Sequence, residues 1–355
     1  MKKIVLKLQK SSAKDYPIFI GNGIVTKIAN ILDIRKYSKA FIVTDQNIKP
    51  LFLKNLQKAL PIISTAIVLA PGERGKGIKN VEKIWKFLAS EQGDRKSLII
   101  NLGGGVIGDM GGFAASTFMR GVDFINVPTT LLSQVDASVG GKTGIDFAGI
   151  KNLIGTFNQP VAVIVDISVL STLPKREFLS GFGEIIKHGL ILDKKHFERA
   201  TVKNPLKFSK EELKNLIHRS IQIKAKIVEI DETENGIRKI LNFGHTIGHA
   251  VEILSLETKA PLLHGEAVSI GMMAEAKISY MMKLISLQDL QLIEQALINA
   301  ELPISIPNFK KEDILRKMQL DKKRGKGQVN LTLLKEVGEA IINQNVDESI
   351  ISKSL

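Results

Sequence analysis

Three histidines and one glutamate in the second half of the chain have the types and the setting of an open metal centre. His245 and His249 stand four apart in NFGHTIGHA, His264 opens HGEAV, and Glu184 lies in GFGEIIKHG. At that spacing two residues share one face of a helix. One glutamate and two of these histidines make three protein ligands and leave a fourth position open, as in catalytic zinc sites. Spacing alone leaves open which histidines are ligands and which is a neighbour. Glu184 and Lys187, three apart, share a face of another helix. His188, His196 and His218 lack glycine-lined surroundings and read as core or surface histidines. The absence of cysteine excludes thiolate ligands and disulfides, and fits a cytoplasmic protein.

Upstream, residues 98–121 read LIINLGGGVIGDMGGFAASTFMRG, a strand running through glycines into a helix. Glycines let backbone amides approach a pyrophosphate, and a helix N-terminus adds orphan N–H groups and positive dipole. Asp109 inside this stretch suits a ribose or a nicotinamide amide better than a phosphate. Asp45 and Asn47 close an earlier strand in VTDQN, where a carboxylate suits an adenosine ribose. Glu73 and Lys76 in PGERGK would rim the same cofactor. A metal beside a nicotinamide cofactor narrows the chemistry to hydride transfer at a hydroxyl-bearing carbon, or a reaction built on it.

The densest polar segment of the first half is NVPTTLLSQVDASVGGKTGID, residues 126–146. Thr129 and Thr130 follow a strand end, Asp136 sits in an apolar helical setting, and Lys142 follows two glycines in a loop. GGKT resembles the end of a Walker A motif, but the glycine five residues earlier is missing, which disfavours a P-loop NTPase. Lys151 and Asn152 add a cation and an amide suited to a phosphate. Lys224, Arg238 and Asn242 precede the histidine cluster, and cations converging near a metal imply an acidic substrate. Asp321-Lys322-Lys323 add two late lysines.

Elements must position these groups. Apolar runs at Ile4–Leu8, Ala40–Thr44, Ala66–Leu69, Ser97–Asn101, Phe124–Val127 and Val161–Val165 alternate with amphipathic stretches, the rhythm of an open, largely parallel α/β sheet. Beyond about residue 175, long 3.6-period segments at 177–191, 209–230, 245–256, 264–284 and 287–299 predict a mostly helical region, with a β-like piece at Val329–Leu334. Thr172-Leu173-Pro174 is the expected joint, because Pro174 favours an extended Leu173 and a fresh helix start. The expected domains are residues 1–174, Rossmann-like, and 175–355, helical, in a chain of 355.

Hydrophobic residues make up 44 %, ample for two cores, yet no apolar run approaches the roughly 20 residues of a membrane span. MKKIVLKLQK alternates like a strand and carries no secretory apolar run, so a cytoplasmic location is expected. Net charge is +14, but the lysines are scattered and aromatics are 5 %, unlike the charged stripes and stacking platforms of nucleic-acid binders.

Together, GGGVIGDMGGFAASTFMRG, VPTTLLSQVDASVGGKTGID, KNLIGTFNQP, LPKREFLSGFGEIIKHG, LNFGHTIGHA and LLHGEAV resemble the 3-dehydroquinate synthase family, in family order over roughly residues 40–335. The resemblance implies an NAD domain, a helical metal domain, a homodimer and a zinc or cobalt ion. It implies Glu184, His245 and His264 as metal ligands, with His249 touching substrate. It implies NAD held by Asp45, Asn47, Glu73, Lys76, Gly105, Val106, Asp109, Thr129, Thr130, Lys151 and Thr172. Substrate would meet Asp136, Lys142, Asn152, Lys187, Lys224, Arg238, Asn242, His249 and Lys322, and Arg120 would reach a partner subunit's site. Ala148 and Ile150 depart from a proline and a glycine that family members carry before the lysine.

The reaction so implied converts 3-deoxy-D-arabino-heptulosonate 7-phosphate to 3-dehydroquinate and phosphate. The metal would polarise the C5 hydroxyl and NAD would take the C5 hydride. Phosphate would leave by β-elimination, the hydride would return, the ring would open, and an intramolecular aldol would close the carbocycle. A metal-dependent polyol or alcohol dehydrogenase, or another sugar-phosphate cyclase, is the alternative. The cluster Lys142, Asn152, Lys224 and Arg238 favours a substrate with both phosphate and carboxylate.

Overall fold

The computed structural model describes residues 1–8, 15–321 and 328–355. They form two compact units: Met1–Leu173 with Lys224–Glu229, and Pro174–Ile223 with Ile230–Leu355.

The first unit is a seven-stranded sheet ordered β1-β2-β9-β6-β5-β3-β4. Its strands are β1 (Lys2–Leu6), β2 (Tyr16–Gly21), β3 (Ala40–Asp45), β4 (Ser64–Leu69), β5 (Leu98–Gly103), β6 (Asp123–Pro128) and β9 (Ala162–Asp166). Pairings are parallel except β1 with β2. Strands β3, β5 and β9 are buried at every residue, which explains AFIVTD, LIINLG and AVIVD as nearly unbroken apolar runs rather than alternating ones. One core layer joins Ile42, Ile100, Ile125 and Ile164 to Ile28, Leu53 and Leu56. The other joins Phe41, Ile99 and Phe124 to Val81, Ile84, Met110 and Phe113. The helices of this unit are α1 (Ile28–Ile31), α2 (Lys54–Ala59), α3 (Ile78–Ser90) and α4 (Gly105–Thr117).

Between β6 and β9 the sequence suggests a loop around Lys142 and Lys151. The structure instead forms an antiparallel hairpin, β7 (Lys142–Phe147) and β8 (Ile150–Phe157). Its turn holds Ala148 at φ 51° and Gly149 at φ 77°. A proline ring fixes φ near about −65°, so proline at position 148 would need a different turn.

The second unit is mainly helical: α5 (Lys175–Leu192), α6 (Lys194–Thr201), α7 (Lys210–Ile230), α8 (His245–Ser255), α9 (His264–Met281), α10 (Leu287–Asn299), α11 (Lys311–Asp321) and α12 (Glu348–Ser354). Residues Lys224–Glu229 of α7 belong to the first unit. A hairpin of β10 (Gln328–Glu336) and β11 (Glu339–Asp347) closes the core around Ile247, Ile270, Ile278 and Leu333. Among the described residues no helix is long and apolar enough to cross a membrane.

Candidate functional site

Helices α5, α8 and α9 come together because glycines remove the side chains between them. A Cβ on Gly265 would lie 1.8 Å from the Ser180 carbonyl oxygen, and one on Gly271 would lie 1.9 Å from the Gly244 carbonyl oxygen. Gly244 starts α8 in the left-handed region at φ 79°, and its N–H donates to the buried Glu275 carboxylate at 2.6 Å. This contact brings Glu184 of α5, His245 at the first turn of α8 and His264 at the first turn of α9 into one cluster.

Glu184 is completely buried. Its Oε1 lies 3.7 Å from Nε2 of His245 and 3.7 Å from Nε2 of His264. That is too long for a hydrogen bond. Two donors each about 2.1 Å from one ion at the tetrahedral angle would stand about 3.4 Å apart. The arrangement therefore fits a small divalent ion. Both histidines turn their other ring nitrogen to an oxygen: His245 Nδ1 to the Phe243 carbonyl at 3.1 Å, and His264 Nδ1 to Glu252 Oε2 at 3.5 Å. In the tautomer with Nδ1–H donating, each Nε2 lone pair is free for an ion, the usual orientation of a ligating imidazole. His249, one turn along α8, packs edge-on to His245 with ring centres 5.1 Å apart. Donor atoms of the three histidines lie within 4.8 Å of one another.

The charges here are strongly coupled. Lys187 is buried and its ammonium bonds Glu184 Oε2. Burial alone would raise the Glu184 carboxyl; Lys187, then His264 and His245, hold it well below the usual carboxylate range. Burial and Lys187 push His245 well below the ordinary imidazole value. Burial also opposes the proton on His264, but Glu184 and Glu252 outweigh it and raise the group to about 10. Nearby, Arg238 is 2 % exposed and donates to the Glu232 carbonyl, while Asn242 Nδ2 donates to Glu234 Oε1 at 2.9 Å.

In the first unit, β5 leads through Gly103 and Gly104 into α4, whose earliest intrahelical donor is Gly108 N–H to the Gly104 carbonyl. The glycines of this stretch have distinct purposes. A Cβ on Gly111 would strike Asn101 Oδ1 at 1.8 Å, so this one serves packing. A Cβ on Gly108 would meet only Asn126 Oδ1 at 3.9 Å, in ordinary contact. Gly105 and Val106, on the first turn, are partly exposed. Asp109 sits on α4 rather than in a loop and pairs with the buried Lys76 at 2.6 Å. Burial raises the Asp109 carboxyl despite Lys76, whereas Asp109 and Glu73 raise Lys76 against its own burial.

Lys76 Nζ also donates to Asn152 Oδ1 at 2.5 Å. Asn152 lies at φ 52°, and its N–H is held by Asp146 Oδ1 at 2.8 Å. Lys151 Nζ stands 3.7 Å from Glu73. Asp136 receives Lys224 Nζ twice, on Oδ1 at 2.6 Å and on its carbonyl at 2.7 Å. Asp45 Oδ1 accepts the Asn47 and Ile48 N–H groups at 2.9 and 3.1 Å, so one of its oxygens shapes the turn. Thr129 Oγ1 is buried without a hydrogen-bond partner, while Thr130 Oγ1 accepts the Ser133 N–H at 3.1 Å. Thr172 Oγ1 donates to the Val169 carbonyl at 2.9 Å. Lys142 opens β7 and is exposed, as is Arg120, which lies at φ 70° beside Met119 at φ 51°. Lys322 lies outside the described residues.

Sequence reasoning missed Asp146, Glu234, Glu252 and Glu275. Asp146 and Glu234 hold Asn152 and Asn242 across turns of six and eight residues, and Glu252 and Glu275 reach His264 and Gly244 over 12 and 31; hydrophobic period and motif spacing carry no signal of such contacts.

Residues 66–180 match the family model described as 3-dehydroquinate synthase N-terminal, and residues 181–324 match 3-dehydroquinate synthase C-terminal. The chain belongs to the 3-dehydroquinate synthase family. A 3-dehydroquinate synthase of Prochlorococcus marinus is 44 % identical, covering 96 % of this chain and 95 % of its own. Another, of Nitrosospira multiformis, is 41 % identical over 100 % of this chain and 98 % of its own. Among solved structures, 2-deoxy-scyllo-inosose synthase complexed with carbaglucose-6-phosphate, NAD+ and Co2+ shares the fold at TM-score 0.91 and 23 % identity, each chain covered to 99 %. The valiolone synthase of Streptomyces hygroscopicus, with NAD+ and Zn2+ bound, gives TM-score 0.86 at 22 % identity, each chain covered to 98 %.

Proposed function

We propose that this chain is an NAD- and metal-dependent 3-dehydroquinate synthase, a carbon–oxygen lyase that takes a seven-carbon acidic sugar phosphate to 3-dehydroquinate and phosphate. The observation that carries the reading is the buried Glu184 carboxylate, 3.7 Å from two oriented imidazole nitrogens, in a chain related over its whole length to such synthases.

Glu184, His245 and His264 would hold the ion, with His249 left to contact substrate. Gly105, Val106, Asp109, Lys76, Glu73, Asp45, Asn47, Thr129, Thr130, Lys151 and Thr172 would hold the dinucleotide. Thr129 is the best placed of the hydroxyls, because its buried oxygen has a hydrogen bond still to make. When bound, the ion supplies polarisation of a hydroxyl and NAD supplies a temporary hydride acceptor.

The chain's own groups bind and orient the substrate. Asp136 anchors the Lys224 ammonium through two contacts, which fixes a cation for an anionic substrate without letting it wander. Arg238 and Lys224 suit a carboxylate; Lys142 and Asn152 suit a phosphate. Lys187 neutralises Glu184, and Asn242 and His249 supply hydrogen-bonding groups beside the metal ligands. In a cytoplasmic homodimer the exposed Arg120 would complete the phosphate site of a second copy.

The test is incubation with the heptulosonate phosphate, NAD and zinc, following inorganic phosphate and NADH absorbance together. Phosphate release with no net NADH is expected. Stoichiometric NADH without phosphate would make the protein a metal-dependent dehydrogenase instead.

A further inference from the structure

Three residues one helical turn apart on α5, Arg176, Ser180 and Glu184, address three consecutive features of the turn that starts α9. Arg176 forms a forked pair with Glu266, Nε to Oε1 and Nη2 to Oε2, both at 2.6 Å, and Nη2 also donates to the Pro261 carbonyl at 2.7 Å. Glu266 Oε2 in turn accepts the Leu263 N–H at 2.8 Å, so the same carboxylate caps the helix and receives the guanidinium. One turn further, Ser180 Oγ accepts the Gly265 N–H at 3.0 Å. One turn further again, Glu184 faces His264 at 3.7 Å.

Resting on the metal-centre reading above, we propose that Arg176 and Glu266 are positioning residues for metal binding: their fork fixes the segment Pro261–Leu263 and thereby the place of His264 opposite Glu184. Several features support a positioning role. The fork is bidentate and charge-assisted, which gives direction as well as strength. The segment it pins needs pinning, since residues 256–260 just before it are exposed. Glu266 is two residues from His264, so a shift in the cap moves the imidazole directly. Arg176 is half exposed, at 52 %, which limits what the pair contributes to stability while leaving its geometric role intact. The ion pair Lys175–Glu301, at 2.6 Å, starts from the neighbouring residue of α5 but reaches no part of the His264 turn. It is a built-in control.

The experiment measures zinc affinity of apoprotein by competition with a chromogenic chelator, alongside the melting temperature of the same apoprotein. Arg176→Ala and Glu266→Gln should each weaken zinc binding about 10-fold or more, the range for groups that orient a metal ligand. Lys175→Ala should leave affinity unchanged. The double variant should be no weaker than Glu266→Gln alone, because the two residues act as one device. Should Arg176→Ala fail to fold, Arg176→Gln, whose amide ends where Nε stands and so loses both Nη2 contacts, takes its place with the same expectation. Wild-type affinity in Arg176→Ala, or an equal loss in Lys175→Ala, overturns the proposal. A wild-type protein that binds no zinc overturns the metal centre itself, and the positioning role with it.

Discussion

Lys187→Met separates the two countercharges that Glu184 can use. The side chain keeps nearly its length and loses its ammonium, in a place where the lysine is 1 % exposed and the glutamate 0 %. Removing one partner of a buried ion pair costs about 3–5 kcal/mol, because the other charge remains in a poorly solvating interior. A domain of this size shifts by about 2–4 °C per kcal/mol, so the metal-free variant should melt roughly 6–20 °C below the metal-free wild type. Zinc changes the comparison. At a hundredfold excess over its Kd an ion stabilises the native state by about 2.7 kcal/mol. In the variant the ion meets Glu184 without a competing ammonium, so it should bind more tightly than to the wild type and replace the lost countercharge. The assay is scanning calorimetry of both proteins in chelator and in zinc, and the gap in melting temperature should narrow with zinc. An equal gap in both conditions would refute the reasoning, since the ion would then not be using the Glu184 carboxylate.

Further perturbations test other parts of the structure. Gly265→Ala would place a Cβ 1.8 Å from the Ser180 carbonyl oxygen, so α9 must retreat with His264; a loss of about 1–3 kcal/mol in thermal stability and weaker zinc binding by titration are expected, and unchanged zinc affinity would count against the close-approach account. Asp109→Ala leaves the buried Lys76 without its carboxylate; NAD binding by calorimetry should weaken at least about 10-fold, or about 1.4 kcal/mol, and full affinity would remove Asp109 from the cofactor site. Burial, with Arg219 and Arg199 adding and Asp193 opposing, lowers His196 to about 4. A base whose folded value lies below its unfolded value near 6.5 contributes stability that is complete above 6.5 and lost as pH falls toward 4. Wild type should therefore lose about 2 kcal/mol more than His196→Gln between pH 7 and 5 by urea denaturation of the metal-free protein, and parallel pH profiles would refute it.

The parts of the fold legible in sequence are those whose burial is uniform. Strands β3, β5, β6 and β9 read as apolar runs because both faces are covered, and α8 and α10 read as 3.6-period segments because one face is inward, while α5 and α9 are buried nearly all round and read as helices by their length. The hairpin β7–β8 was invisible for the opposite reason. Most of β8 is exposed or half-exposed, so KNLIGTF carries no inside–outside alternation, and its glycines 144 and 155 cross so closely that they read as loop residues. Strand β2 and helix α6 were also missed: Pro17 interrupts the apolar run of the first, and the second is short and too polar to stand out.

At the site, the chemistry-bearing residues announced themselves by type and spacing, but their partners did not. Lys76 and Asp109 are 33 positions apart, as 76 and 109 show, and Asp136 and Lys224 are further still; nothing local ties either pair together. The glycines were the ambiguous signal. In GGGVIGDMG some expose backbone at a helix start, whereas Gly111 only admits Asn101. In GFGE, GHTIGHA and HGEAVSIG they bring helix against helix until carbonyl oxygens nearly touch the missing Cβ positions. A glycine-rich stretch near histidines therefore carries two physical meanings, and only the second concerns the metal. Helices packed at that distance cannot slide without collision, so the separation of Glu184, His245 and His264 is set by the backbone before any ion arrives. That places the selectivity of the centre in the packing of α5, α8 and α9 as much as in its ligand atoms.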